Sequence, residues 1–133
     1  MPVRIPKFEY FIICDDIREE VGNKMSFMGV YGPDIFVPSF PFVFPLLCMA
    51  IYYSNTKSGD SFSIKFKHPN GRIIGKAISG TVPGKDHKNL KFTMLAKFAP
   101  LKIEKEGLCK LEIAFNNDNK TKQIIKIPFK KRN

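Results

Sequence analysis

Tryptophan is missing from this sequence, histidine occurs only twice and cysteine three times. The two histidines, His68 before a turn proline and His87 in a lysine-rich loop, share no motif with each other or with a nucleophile. They read as surface or turn residues rather than catalytic bases. Cys14, Cys48 and Cys109 are odd in number and widely spaced, which excludes a disulfide framework. None has a second ligand at zinc-finger spacing, so no metal site is expected. All three lie in apolar surroundings and read as buried thiols, reduced in a reducing compartment. Acidic residues are scarce, 12 against 22 lysines and arginines. Their densest run, Cys14-Asp15-Asp16-Ile17-Arg18-Glu19-Glu20, matches no calcium-loop spacing and reads as a solvated loop. Gly71, Gly75, Gly80 and Gly84 lack the strand–glycine–helix context of a phosphate loop, and no nucleophile elbow is present. These shortages leave no catalytic, cofactor or metal residue to nominate, and the expectation is a protein that is not an enzyme.

One apolar run is long. Residues 35–53 contain a single polar side chain, Ser39, but Pro38, Pro41 and Pro45 interrupt them. Each proline removes an amide donor and clashes with the preceding turn, at ~3 kcal/mol in a helix interior, so no continuous membrane helix forms. We read Ile35 to Pro45 as an extended connection and Leu46 to Tyr53 as a buried strand. The opening residues Met1 to Lys7 carry no apolar run followed by small residues, unlike a secretory signal. A cytoplasmic protein is expected.

What is abundant is alternation. The 133 residues suit one domain spanning 1–133. Hydrophobic residues make up 44%, and 13 phenylalanines against four tyrosines supply rings without a polar handle, suited to a core. Phe62, Ile64 and Phe66 alternate with Ser63, Lys65 and Lys67. Leu111, Ile113 and Phe115 alternate with Lys110, Glu112 and Ala114. After the polar tip Asn116 to Lys120, the residues Ile125, Ile127 and Phe129 repeat the pattern. A period of two means one buried and one wet face. Phe8 to Tyr31 reads as a hairpin with a longish loop, although Asp15 or Asp16 could cap a short helix over Asp15–Val21. At His68-Pro69-Asn70-Gly71-Arg72, a type I turn with left-handed Gly71 sets Phe66 opposite Ile74 and stacks Ile74 and Ile78 on the phenylalanine face. Leu90 to Phe98 is a further strand, and Ala99 to Gly107 a connection or short edge strand. The sum is about eight strands, turns every 8–12 residues, and an all-β antiparallel two-sheet sandwich of immunoglobulin-like type.

Charge is unevenly spread. Residues 1–56 balance at −2 and residues 57–133 at +12. Such a field attracts polyanions. The candidate contacts are Lys65, Lys67 and Arg72 around one hairpin, Lys85, Lys88 and Lys91 around the next loop, and Lys130, Lys131 and Arg132 at the tail. They form a recognition surface only where the fold brings them together. No exposed aromatics interleave with Lys65 and Lys67, as nucleic-acid modules usually require.

The segment Phe11-Ile12-Ile13-Cys14-Asp15-Asp16, followed by Gly22-Asn23-Lys24-Met25-Ser26-Phe27-Met28-Gly29-Val30-Tyr31, resembles a family of short uncharacterised bacterial proteins. These open on an apolar strand ending in Cys-Asp-Asp and continue with Gly-x-Lys-x-Ser-x-x-Gly-x-Tyr. Pro41 to Leu47 is similar too. So is the ending, Glu106-Gly107-Leu108 followed by an alternating strand, a polar tip and a last strand closing on Pro128-Phe129. The resemblance implies a bacterial sandwich and lends no catalytic or binding residue. Together these readings give a non-enzymatic binding or scaffold module. Its expected partner is another protein, with self-association admitted. The alternative is weak binding of nucleic acid or another polyanion through the basic C-terminal half.

Overall fold

The computed structural model describes residues 5–84 and 90–133. It is all-β, with eleven strands: β1 (Lys7–Glu20), β2 (Lys24–Val30), β3 (Ile35–Val37), β4 (Phe42–Phe44), β5 (Leu47–Thr56), β6 (Ser61–Lys67), β7 (Ile78–Thr81), β8 (Leu90–Phe98), β9 (Leu101–Ile103), β10 (Gly107–Phe115) and β11 (Asp118–Lys131). They form a four-stranded sheet in the order β2-β1-β5-β8, a five-stranded sheet in the order β3-β11-β10-β6-β7, and a two-stranded β4-β9 ladder.

The two large sheets face each other across one core. Ile13, Met49, Ile51, Tyr53, Met94 and Ala96 from the first meet Ile64, Phe66, Leu111, Ile113, Phe115, Ile127 and Phe129 from the second. Rings lock the contact: Tyr53 meets Phe115 at 4.8 Å and Phe66 meets Phe98 at 5.5 Å between centroids. Phe44, Leu101 and Ile103 of the small ladder join the same core. Of the six residues whose alternation marks them as core, Ile64, Phe66, Leu111, Ile113 and Phe115 are buried. Phe62 is only half-buried, because its ring lies over Gly80 beside Phe92 near the sheet edge.

The expected turn at His68–Arg72 forms. The amide of Gly71 donates to the His68 carbonyl at 2.9 Å, Gly71 has φ 91°, and the Ile74 amide donates to the Phe66 carbonyl at 2.7 Å. At the final hairpin the turn is tighter than the polar tip suggests. Asn116 and Asn117 take φ 54° and 53°, and β11 begins at Asp118.

Three expectations are corrected. The strand count rises from eight to eleven because the proline-rich connection 35–45 contains β3 and β4, and 101–103 forms β9. The sandwich is not purely antiparallel, since β3 runs parallel to β11, pairing Ile35 with Phe129 and Val37 with Lys131. The acidic run after Cys14 is neither a loop nor a helix. It continues β1 in register with β2, from Asp16↔Met28 to Glu20↔Lys24, and only residues 21–23 turn. His68 stands at its turn as read, its carbonyl accepting from the Gly71 amide, with the residue only 9% exposed.

This long hairpin also folds over. Cys14 and Ile17, three apart, would face opposite sides of a flat strand. Yet both sit in one apolar cluster with Cys48 and Ala50, flanked by Met25 and Phe27. The strand must therefore turn over between them. Gly29, opposite Asp15, supplies the bend with φ 66°, and any Cβ there would strike the Asp15 carboxylate. The distal hairpin thus covers the outer face of the four-stranded sheet at its Cys14–Cys48 end.

Candidate binding surfaces

The outer face of the five-stranded sheet carries most of the lysines. The register pairs Lys110 of β10 with Lys67 of β6 on one side and with Lys126 of β11 on the other. Three lysines therefore stand side by side across three strands. Directly opposed residues lie about 4.5–5.5 Å apart at Cβ, where like charges destabilise a sheet. In the next row Glu112 lies between Lys65 and Ile124. Its carboxylate accepts from Lys67 Nζ at 2.7 Å. The Lys67 hydrogen bond, with further attraction from Lys67, Lys122 and Lys65, holds Glu112 below the usual carboxylate range despite partial burial. Three lysines thus share one acid.

Apolar side chains punctuate this face. Leu108 and Pro128 pair across β10 and β11, and Phe36 pairs with Lys130. Phe36 is 51%, Ile124 42% and Leu108 37% exposed.

The nine candidate polyanion contacts do not all meet. Lys65 and Lys67 belong to this face. Lys130, further along β11, pairs with Asp34 at 3.2 Å. Lys131 and Arg132 use their backbone amides to hold the chain end, donating to Glu106 at 2.8 Å and to the Val37 carbonyl at 2.8 Å. Arg72 sits in the β6–β7 turn beside His68 and Glu104. Lys91 lies on β8, in the other sheet, next to Tyr10 and Tyr52. Lys85 and Lys88, like His87, lie outside the described residues. Lys110, Lys122 and Lys126 were missed. Alternation places Lys110 and Lys126 on a wet face, but only the β6–β10 pairing sets them in one row with Lys67.

The thiols sit deep. Cys14, Cys48 and Cys109 are free and buried. Burial is the largest influence on all three, pushing them up, and Cys109 reaches about 11. The register sets Cys14 directly opposite Cys48. Asp15 accepts from the Tyr31 hydroxyl, which ties β1 to the residue after β2, whereas Asp16 lies 3.6 Å from Arg18 on its own strand. Among the described residues, no group of three or more His, Cys, Asp or Glu is arranged to hold a metal ion, and no helix is long and apolar enough to cross a membrane.

Fold and surface together define an all-β sandwich with a strongly basic outer sheet face. The chain belongs to a family of unknown function, DUF6941, whose sequence pattern it matches over residues 9–128. No curated protein matches it.

Proposed function

We propose that this protein is a non-enzymatic binding module whose basic sheet face docks an acidic protein surface. The Lys67–Lys110–Lys126 row supports this reading. An arrangement that opposes folding finds its compensation when a partner supplies the missing negative charge. The partner class follows from what lies between the lysines. Exposed Ile124, Leu108 and Phe36 make a mixed apolar and basic surface. That composition suits a protein interface, in which apolar area is desolvated at the centre and charge sets orientation.

The second reading is weak, sequence-indifferent binding of nucleic acid to the same lysines. Counterion release favours it. However, Phe36 is the one aromatic ring among the described residues that the strand pairing places on this face, a poor platform for successive bases.

The test is affinity capture from nuclease-treated host lysate, comparing wild type with the triple variant Lys67→Gln, Lys110→Gln, Lys126→Gln. An acidic protein recovered by the wild type, lost by the variant and released by moderate salt is the expected result. Equal recovery by both would overturn the proposal. Recovery from untreated lysate that the nuclease treatment abolishes would establish the second reading instead.

A further inference from the structure

A different part of the molecule has an unfinished ladder. β2 pairs with β1 only from Cys14 to Glu20, whereas β5 pairs with β1 from Lys7 to Cys14. On the β2 side, Lys7 to Ile12 therefore meets no strand among the described residues. The last bond on that side is from the Tyr31 amide to the Ile13 carbonyl, 2.9 Å. Alternate residues of a strand turn their N–H and C=O to the same edge. Phe11, two before Ile13, thus aims its amide and carbonyl at the vacant side. The segment after β2 does not continue the ladder, because Pro33 stands where its next amide would come and has none to offer.

Both flanks of this edge are apolar. Phe11 belongs to the inward-facing set, packed against the core, yet it is only half-buried. The sandwich is open there. On the outer side Tyr10 is 53% exposed and stacks on Tyr52 at 4.3 Å between centroids. A groove of about 310 Å³ runs along the edge, with Phe11, Val30, Tyr31, Lys126 and Ile127 among its walls.

We propose that this edge accepts an extended peptide as an added strand, in line with β2 and antiparallel to β1. A row of backbone donors and acceptors at strand spacing is matched by another strand, and alternate side chains then read the two flanks. One set of the peptide's residues covers Phe11, and the other set lies against Tyr10. Lys126, one of the groove's walls, favours an acidic residue in the peptide. The ligand is therefore an apolar-alternating, acidic, extended segment. The site shares Lys126 with the basic row but is built on the backbone edge of β1, so it does not depend on that row having a partner.

The experiment selects a phage-displayed library of random ten-residue peptides on the native protein and follows a synthetic copy of the winner by amide hydrogen exchange. The Phe11 amide, fast in the free protein, should gain at least about tenfold protection. Tyr10→Lys, at an exposed position, should weaken the peptide about tenfold. Lys110→Gln should leave its affinity unchanged, which separates this edge from the basic face. No enriched peptide would overturn the proposal. So would a winner that leaves Phe11 exchange unaltered. Phe11 protection in the free protein that rises with protein concentration would assign the edge to a second copy of the chain instead, and would also overturn it.

Discussion

Replacing Lys110 by Gln should make the protein more stable. Lys110 faces Lys67 on one neighbouring strand and Lys126 on the other. Glu112 relieves Lys67 at 2.7 Å, while Lys126 has no ion pair among the described residues. Cross-strand charge pairs contribute roughly 0.2–1 kcal/mol each, so removing the central charge should gain about 0.3–1 kcal/mol at low salt. At this chain length, that shift moves the melting midpoint upward by about 1–4 °C. The gain should shrink with added salt, because the screening length falls from about 10 Å at 0.1 M to about 3 Å at 1 M. Glu112→Gln should do the reverse. It removes the shared acid and leaves Lys67 facing the other lysines, a loss of about 1–2 kcal/mol. Urea denaturation of both variants at low and high salt makes the measurement. A Lys110→Gln protein that is less stable, or a gain that salt does not diminish, would refute the electrostatic account.

Phe66→Ala should cost about 3–5 kcal/mol, since the ring is 1% exposed and wedged against Phe98 and Phe129; an unchanged denaturation midpoint would contradict its place in the core. Tyr53→Phe should stabilise by about 1 kcal/mol, because the buried Tyr53 hydroxyl has no hydrogen-bond partner among the described residues; a loss on thermal unfolding would mean that the hydroxyl is satisfied. Burial, then Arg72, lowers the His68 affinity for protons against the opposing Glu104, so folding is favoured while the ring is neutral. That contribution is present above the unfolded value near 6.5 and is lost as pH falls through the lower folded value, and His68→Gln should flatten the decline. Native thiols should react slowly with an aromatic disulfide reagent and quickly in denaturant, since burial raises all three; rapid native labelling of all three would refute their burial.

Much of this fold is local grammar, and local grammar is legible. The alternation at Phe62–Phe66 and Leu111–Phe115 marks faces because a strand's period is fixed by its backbone. The turn at Pro69–Gly71 is legible for a similar reason, since one left-handed glycine selects one register. The acidic run after Cys14 misleads because polar residues on both sides of a strand look like a loop. Its pairing with β2, and the bend at Gly29 that buries Ile17, are decided by partners elsewhere in the chain. The proline-rich stretch misleads in the opposite sense: three-residue strands such as β3 are too short to alternate visibly and exist because β11 offers them an edge.

The surfaces are harder to read for a deeper reason. Lys67, Lys110 and Lys126 each look like an ordinary wet-face lysine beside its own neighbours in sequence. Their repulsion exists only because β10 lies between β6 and β11. The vacant edge of β1 is likewise a property of where β2 stops, not of any residue in Lys7–Ile12. Composition counted the positive charge correctly but located it in the C-terminal half of the sequence, whereas the fold concentrates it by strand order and leaves Lys91 on the other sheet. A function carried by strand adjacency thus leaves little trace in motifs. A family defined by such a fold would keep its hydrophobic alternation and its turn glycines for stability, and would keep the lysine row only if something binds it, because folding alone favours its removal.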